Sequence, residues 1–412
     1  MANGPLHGIR VLEFSLVYAA PWAGMTLADM GADVIKVEPP GGEPIRNALA
    51  VVPGAGGKMF TWVNRGKRSL VLDLRDERAR AVVHRLVRDI DVVLINYRPG
   101  VAQRYAIDYP TLSRIRPELV YAEITGFGDS GPLAGQGSTD IIAQSYGGMT
   151  VAVGKLDPHG APWTMNIGAG DVSGGAAAVL GIVSALYSRE ETGVGQFIEV
   201  SLLRTVMSST GWLNMHDEAN DAVDVGPLRS RIRELSAGGC SYEQLLAATR
   251  EARGRAESPY YASYATSDGA VSLGCTTAEQ QERLRHALGG VEAAAGAGEP
   301  DEAVAGRLRS ILAGNTSAYW LALFDAHDVP AAPVHLAELV ASDPQAPYLM
   351  SEVSHPLLGE QRQVGPVVQM SRTATAPAGP AALLGQHADE ILSEFGYSAE
   401  AIAELRAANV LG

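Results

Sequence analysis

One aspartate in this sequence lies in a setting suited to covalent chemistry. Asp171 is flanked by Gly168, Gly170, Gly174 and Gly175, at the start of an apolar stretch that predicts a helix. An unperturbed aspartate has a pKa of about 3.9, so we expect ionisation near pH 7. A carboxylate can attack a carbonyl carbon without an activating base. The glycines would let a substrate approach the backbone, and their N–H groups could form an oxyanion hole.

The same residues have a structural explanation. Aspartate is a favoured helix N-cap, worth about 1 kcal/mol, and a helix N-terminus stabilises an exposed anion by about 0.3–1 kcal/mol. Close packing between helices explains Gly174, Gly175 and the residues 176–178. Residue types alone therefore favour capping over catalysis for Asp171.

Composition limits the classes of protein to which the chain could belong. Its 412 residues predict two or three domains, and 46% hydrophobic residues permit a large core. The net charge is −14 without a basic stripe, so we expect no nucleic-acid partner. Two cysteines fit a reducing compartment. The N-terminus does not resemble a signal peptide, and the most apolar stretch covers residues 176–186, short of the ~20 residues of a membrane span. We expect a soluble, cytoplasmic protein without a membrane partner.

Strand and helix patterns alternate through the first half of the chain, which predicts a doubly wound, parallel α/β sheet. Strands are predicted at residues 9–15, 33–38, 69–74, 91–97, 119–125 and 196–203, and helices at 21–30, 77–90, 140–146 and 171–188.

The later sequence predicts a second, smaller α+β domain. The predicted divisions are a large domain over residues 1–214, a linker and helical insertion over 215–258, a small domain over 259–333, and a return to the large domain over 334–412. Strands are expected within 260–274, and helices at 242–253, 277–288, 301–313, 316–327, 389–395 and 399–408.

A doubly wound sheet can bind a dinucleotide, but the required glycines are missing. The first strand is followed by residues 16–21 (LVYAAP), which contain no glycine triplet, and residues 168–174 have GxGxxxG spacing. P-loop, HExxH, GxSxG and zinc patterns are absent from the sequence. No permanently bound cofactor and no metal are therefore expected.

Several ordered stretches together resemble the class III CoA-transferase (CaiB/BaiF) family, which also contains the α-methylacyl-CoA racemases. They include residues 8–13, 28–38, 64–69, 96–100, 125–128, 170–171, 192–196, 329–334 and 384–387.

The resemblance implies that Asp171 is the catalytic nucleophile, with coenzyme A entering as a thioester substrate and a carboxylic acid as acceptor. It implies an aspartyl anhydride and an aspartyl-CoA thioester as intermediates. It also implies an interlocked homodimer, whose Rossmann-like large domain is formed by both termini and whose small domain closes the ring.

The resemblance also assigns a CoA-binding groove. Two lysines of the family correspond to Thr125 and Gly137, so phosphate contacts would be fewer or supplied elsewhere. The residues that the resemblance assigns to this groove are Val17, Ala19, Leu72, Arg75, Asn96, Tyr97, Val101 and Arg104. Considered without the resemblance, these residues could equally well be exposed surface or packed core residues.

Substrate-pocket positions favour a transferase over a racemase. Racemases of the family carry a histidine base at the position of Thr139, next to Asp140, and a glutamate near Thr277 or, with a shifted alignment, Glu279. Formyl- and oxalyl-CoA transferases carry glutamine at the position of Tyr18, so we expect a larger or more apolar acyl group. A racemase-type isomerase and an inactive acyl-CoA-binding protein remain the alternatives.

Overall fold

The computed structural model describes residues 4–48, 52–153, 155–223, 225–253, 258–289 and 300–412. The chain divides into two compact units. The first comprises residues up to 215 and from 347 onward, and the second comprises residues 216–346. The domain boundaries from the sequence stay predictions.

The first unit is built on a six-stranded parallel sheet in the order β3-β2-β1-β4-β5-β6. This confirms the predicted parallel α/β sheet. The strand order reverses between β1 and β4, and open sheets of this kind bind ligands at the carboxyl ends beside that point. The strands are β1 (Arg10–Phe14), β2 (Asp33–Glu38), β3 (Arg68–Val71), β4 (Val92–Ile95), β5 (Val120–Thr125) and β6 (Phe197–Ser201).

Helices cover both faces of this sheet because its strands are apolar on both sides. The helices up to residue 215 are α1 (Ala19–Asp29), α2 (Pro44–Asn47), α3 (Lys58–Val63), α4 (Glu77–Leu86), α5 (Val101–Arg104), α6 (Tyr109–Ile115), α7 (Asp140–Tyr146), α8 (Met149–Ala152), α9 (Ala169–Thr192), α10 (Leu202–Ser209) and α11 (Gly211–Asn214). Leu12 packs with α4, α6 and the two C-terminal helices, whereas Val11 packs with α1, α7, α9 and α10.

The long helix α9 packs closely against α1. A Cβ on Gly175 would lie 2.7 Å from the Ala19 carbonyl oxygen, and one on Gly174 would lie 2.7 Å from Leu202 Cδ2. Close packing therefore explains these two glycines. By length and composition α9 could also cross a membrane, although one face of it contributes Ala178, Ile182 and other buried residues to the core.

The second unit combines helices with a three-stranded antiparallel sheet. Its core contains Trp320, Phe324 and Leu308. Its elements are α12 (Glu218–Val223), α13 (Val225–Ala237), α14 (Tyr242–Arg253), β7 (Ser263–Ala265), β8 (Ala270–Leu273), α15 (Ala278–Ala287), α16 (Asp301–Leu312), α17 (Ser317–Ala326) and β9 (Ala331–Pro333).

The C-terminal segment belongs to the first unit. It forms an antiparallel hairpin that the sequence analysis missed, β10 (Met350–His355) and β11 (Gly359–Val364), then α18 (Ala388–Glu394) and α19 (Ala399–Ala407). Ile391 and Ile402 of these helices are buried in the core beside the sheet.

Candidate active site

Helix α9 begins after Gly168, and the side chain of Tyr18 packs against this glycine. Gly168 is the N-cap residue with φ +64°, a left-handed conformation that glycine adopts without strain. A Cβ on Gly168 would clash with the ring of Tyr18. Tyr18 follows strand β1, so this contact joins the first loop of the sheet to the start of α9.

Asp140, not Asp171, caps helix α9. Asp140 Oδ1 accepts the N–H groups of Gly170 and Asp171, at N···O distances of 2.6 and 3.0 Å. Its other oxygen accepts a hydrogen bond from Nε2 of the buried Gln144, which also donates to the Met165 carbonyl at 3.1 Å. The capping explanation for Asp171 is therefore wrong, and the carboxylate of Asp171 is not engaged in capping.

The expectation of an ordinary pKa for Asp171 is also wrong. Burial, and secondarily the negative charge of Asp140, raise the pKa of Asp171 from 3.8 to about 7. The helix N-terminus does not overcome this effect, because Asp140 already occupies the first N–H groups. Near pH 7 a large fraction of Asp171 is thus protonated in the unliganded protein.

Three of the four glycines do not supply the predicted oxyanion hole. The Gly170 N–H is bound to Asp140. Gly174 and Gly175 lie within the body of α9, where N–H groups make helical hydrogen bonds. The N–H of Gly168, the N-cap residue of α9, stays the predicted donor.

Tyr18 is a neutral hydrogen-bond donor near these carboxylates. Its side chain is largely buried and packs edge-on against Trp62, with ring centroids 5.5 Å apart. Burial, followed by the charges of Asp171 and Asp140, raises the pKa of Tyr18 to about 12. Its hydroxyl therefore stays protonated.

A groove of about 530 Å³ lies at the carboxyl ends of β2, β3 and β4. Four of the eight predicted CoA-binding residues line it: Leu72, Arg75, Tyr97 and Val101. The remaining lining residues are Leu16, Val37, Glu38, Pro39, Pro40, Asp73, Leu74, Arg98 and Tyr105.

The other four predicted residues are not among those lining the groove. Val17 is half exposed, with φ +68°, and Ala19 is buried at the start of α1. Asn96 joins the loops, since its Oδ1 accepts the Leu16 N–H at 2.8 Å and its Nδ2 donates to the Leu16 carbonyl at 2.9 Å. Arg104 is exposed on α5. Their contact with CoA stays a prediction.

Two arginines at the groove differ in whether an ion pair already occupies their guanidinium group. Arg75 is paired with Asp73 through two hydrogen bonds of 2.7 and 2.8 Å, an exposed ion pair that a phosphate could displace at little cost. Arg98 makes no ion pair among the described residues, and its Nε lies 3.2 Å from where a Cβ on Gly137 would be. Arg98 therefore fills the space beside Gly137. Sequence reasoning did not assign it, although it adjoins Tyr97 directly before Pro99.

The positions of the racemase bases carry structural roles in this chain. Thr139 is the N-cap residue of α7, beside Asp140. Thr277 caps α15 and forms a reciprocal capping pair with Gln280, and Glu279 pairs with Arg283 at 3.0 Å. Threonine cannot act as a base near pH 7. Within the described ranges, no cluster of three His, Cys, Asp or Glu side chains could hold a metal ion.

Comparison with known proteins identifies the family. The model of CoA-transferase family III matches residues 6–388. The chain belongs to CoA-transferase family III. This confirms the resemblance and shows that the chain is an enzyme of the CoA-transferase class.

Relatives match along almost the whole chain. The succinyl-CoA:mesaconate CoA-transferase of Haloarcula hispanica is 33% identical, over 95% of this chain and 97% of the relative. The human succinyl-CoA:glutarate CoA-transferase is 28% identical, over 99% and 90%. A solved CaiB/BaiF family protein from Brucella suis has a TM-score of 0.75 at 29% identity, over 95% of this chain and 100% of that one.

The raised pKa of Asp171 generates a pH prediction. If ionised Asp171 is the nucleophile, kcat/KM, which reports ionisations of the free enzyme, should rise with pH through about 7 and then level off. Asp140→Asn removes the negative charge that contributes to the high pKa, so its acid limb should move to lower pH. The amide oxygen of the substituted side chain can still accept the helix N–H groups, which preserves the cap. The measurement is kcat/KM for the acyl-CoA donor against pH for both proteins.

Asp129→Asn is the control, because Asp129 is exposed and does not contribute to the pKa of Asp171. A flat wild-type profile between about pH 5 and 8, or an equal shift in the Asp129 variant, would contradict this assignment.

Proposed function

We propose that the protein transfers CoA from an acyl-CoA donor to a carboxylic acid, with Asp171 carrying the covalent intermediates. The carboxylate attacks the donor thioester carbonyl, which gives a mixed anhydride and CoA thiolate. The thiolate attacks the aspartyl carbonyl, releasing the donor acid and forming an aspartyl-CoA thioester. The acceptor carboxylate attacks this thioester and expels the thiolate, forming a second anhydride. The thiolate then attacks the acceptor carbonyl, which yields the new acyl-CoA and free Asp171.

The observation that carries this proposal is the freedom of the Asp171 carboxylate at the start of α9. Asp140 accepts the N–H groups of Gly170 and of Asp171 itself at the start of α9, so the cap does not use the Asp171 carboxylate. Partial burial weakens the hydration of the Asp171 carboxylate and raises its proton affinity. A desolvated carboxylate is a stronger nucleophile than one in bulk water. Tyr18 supplies a neutral donor at the same place.

The expected substrates are acids larger than formate or oxalate. Tyr18 fills space next to Gly168, where the enzymes for the smallest acids are expected to carry glutamine. The relatives from Haloarcula and human are named for succinyl-CoA with mesaconate or glutarate. We therefore propose that the first substrate pairs to test are succinyl-CoA with five-carbon dicarboxylic acids, followed by apolar acids.

Removal of the nucleophile tests this function. Both Asp171→Asn, which keeps the side-chain volume, and Asp171→Ala should lose transfer by about 10³-fold or more, as expected when a covalent nucleophile is removed. The assay incubates each protein with acyl-CoA and acid pairs and detects exchanged CoA esters by mass. Asp325→Ala, at an exposed aspartate of α17, should keep full activity.

Three outcomes would overturn the proposal. Transfer that survives in both Asp171 variants would exclude the covalent role of Asp171. If the wild-type enzyme exchanges the α-proton of an acyl-CoA with solvent deuterium in the absence of an acceptor acid, the isomerase is favoured. If it binds CoA but turns over no acid, the inactive binding protein is favoured.

We also propose that the chain forms an interlocked homodimer. Several large apolar side chains of the first unit are exposed on neighbouring helices: Tyr146 of α7 by 63%, Leu180 and Tyr187 of α9 by 70% and 73%, and Trp212 of α11 by 72%. Leu180 and Tyr187 are seven residues apart, on one face of α9. Large exposed apolar patches typically mark protein interfaces.

Native mass tests the dimer. The wild-type protein should have twice the chain mass of 43.3 kDa and keep it on strong dilution, because interlocked rings cannot separate without unfolding. The double variant Leu180→Glu/Tyr187→Glu should fail to assemble during folding, so its mass should shift toward one chain, whereas Glu190→Lys, exposed on the same helix, should leave the mass unchanged. A wild-type monomer would contradict the proposal.

A further inference from the structure

Four charged side chains are buried beneath the loop that joins β1 to α1. Glu13, Lys36, Glu43 and Lys67 are each at most 3% exposed. Lys36 Nζ lies 2.9 Å from Glu43 Oε1 and 3.3 Å from Glu13 Oε1, and Lys67 Nζ lies 2.9 Å from Glu13 Oε1. None of the four lines the groove. Burying an ion carries a large desolvation penalty, so hydrophobic residues would serve stability equally well or better.

Glu43 makes one contact that reaches out of this cluster. Its Oε2 accepts the backbone N–H of Val17 at 2.7 Å. Val17 has φ +68°, and a β-branched residue in this left-handed region is a strained outlier. Its side chain is 46% exposed, so burial of that side chain does not hold the conformation. A hydrogen bond to a charged acceptor is among the stronger hydrogen bonds in proteins and can offset strain of this kind.

The residues on either side of Val17 connect this strain to the active site. Leu16 is fixed by its two hydrogen bonds with Asn96. Tyr18 packs against Gly168, the N-cap residue of the Asp171 helix. With Leu16 fixed, a change of φ at Val17 would redirect the chain at Tyr18 and remove its ring from Gly168.

We propose that Glu43 is a positioning residue for CoA transfer. Lys36 holds the Glu43 carboxylate, the carboxylate holds Val17 in the left-handed conformation, and that conformation keeps Tyr18 against the start of α9. Glu43 acts only through Val17 and Tyr18 and touches no substrate. Its effect on the rate rests on the proposed role of Asp171, whereas its effect on the loop does not.

A double-mutant cycle tests this role. Glu43→Ala in the wild-type background should lower kcat by about tenfold or more, the factor that corresponds to 1.4 kcal/mol, with a smaller change in KM for the CoA donor. In the Val17→Gly background the same change should cost about threefold or less, because glycine adopts positive φ without strain. Glu43→Gln keeps an acceptor for the Val17 N–H and should recover most of the lost kcat.

Equal losses of kcat in both backgrounds, or an unchanged kcat in Glu43→Ala, would overturn the proposal. Thermal unfolding is measured for each variant as well. A purely structural role of Glu43 would lower the unfolding temperature and kcat by the same amount with valine or with glycine at position 17. If Glu43→Ala does not fold, the cycle is run with Glu43→Gln, which should then show the same dependence on residue 17 with a smaller loss.

A crystal structure of the folded Glu43 variant separates this inference from the function. Val17 should leave positive φ and Tyr18 should move away from Gly168, whether or not a substrate pair has been found. Retention of φ near +68° would reject the role of Glu43 even if the wild-type enzyme transfers CoA. Absence of transfer by the wild-type enzyme with every acid would reject the proposed function alone.

Discussion

The capping of α9 by Asp140 is the interaction on which the site depends. A helix N-terminus leaves several backbone N–H groups without partners, and the nearest carboxylate tends to bind them. Here the cap comes from another helix, since Asp140 belongs to α7 and is held by the buried Gln144. The carboxylate of Asp171 is then left out of the cap, and burial together with the nearby negative charge of Asp140 raises its proton affinity.

The parallel sheet brings the remaining parts together at one edge. Loops after β2, β3 and β4 form the groove, and the loop after β1 carries Tyr18 to the start of α9. Dinucleotide-binding sheets place glycines in that first loop so that phosphates can approach the backbone. This chain instead has Val17 and Tyr18 there. Asn96 accepts the N–H of the preceding Leu16, and Glu43 accepts the N–H of Val17. The first loop therefore serves to position a side chain.

Local patterns in the sequence predict much of the fold. Strand β2 and helices α7 and α14 have the predicted bounds, because their apolar spacing and flanking residues are informative. The hairpin β10–β11 was missed because its strands, MSEVSH and GEQRQV, lack a regular alternation of apolar and polar residues.

Asp171 was found through its glycines and the family resemblance. Its pKa and the cap by Asp140 were not predictable, because residues 31 positions apart meet only in the folded chain. The same holds for Glu43 and Val17, 26 positions apart.

Oxygen-isotope tracing tests the covalent role of Asp171 most directly. Each turnover should leave one oxygen of the acceptor carboxylate on Asp171, because the bridging oxygen of the second anhydride stays with the aspartate when CoA leaves with the acyl group. After turnover with an ¹⁸O-labelled acceptor acid, the peptide that contains Asp171 should gain ¹⁸O, localised to that residue by fragmentation. Formation of the product thioester without label in this peptide would contradict covalent transfer through Asp171.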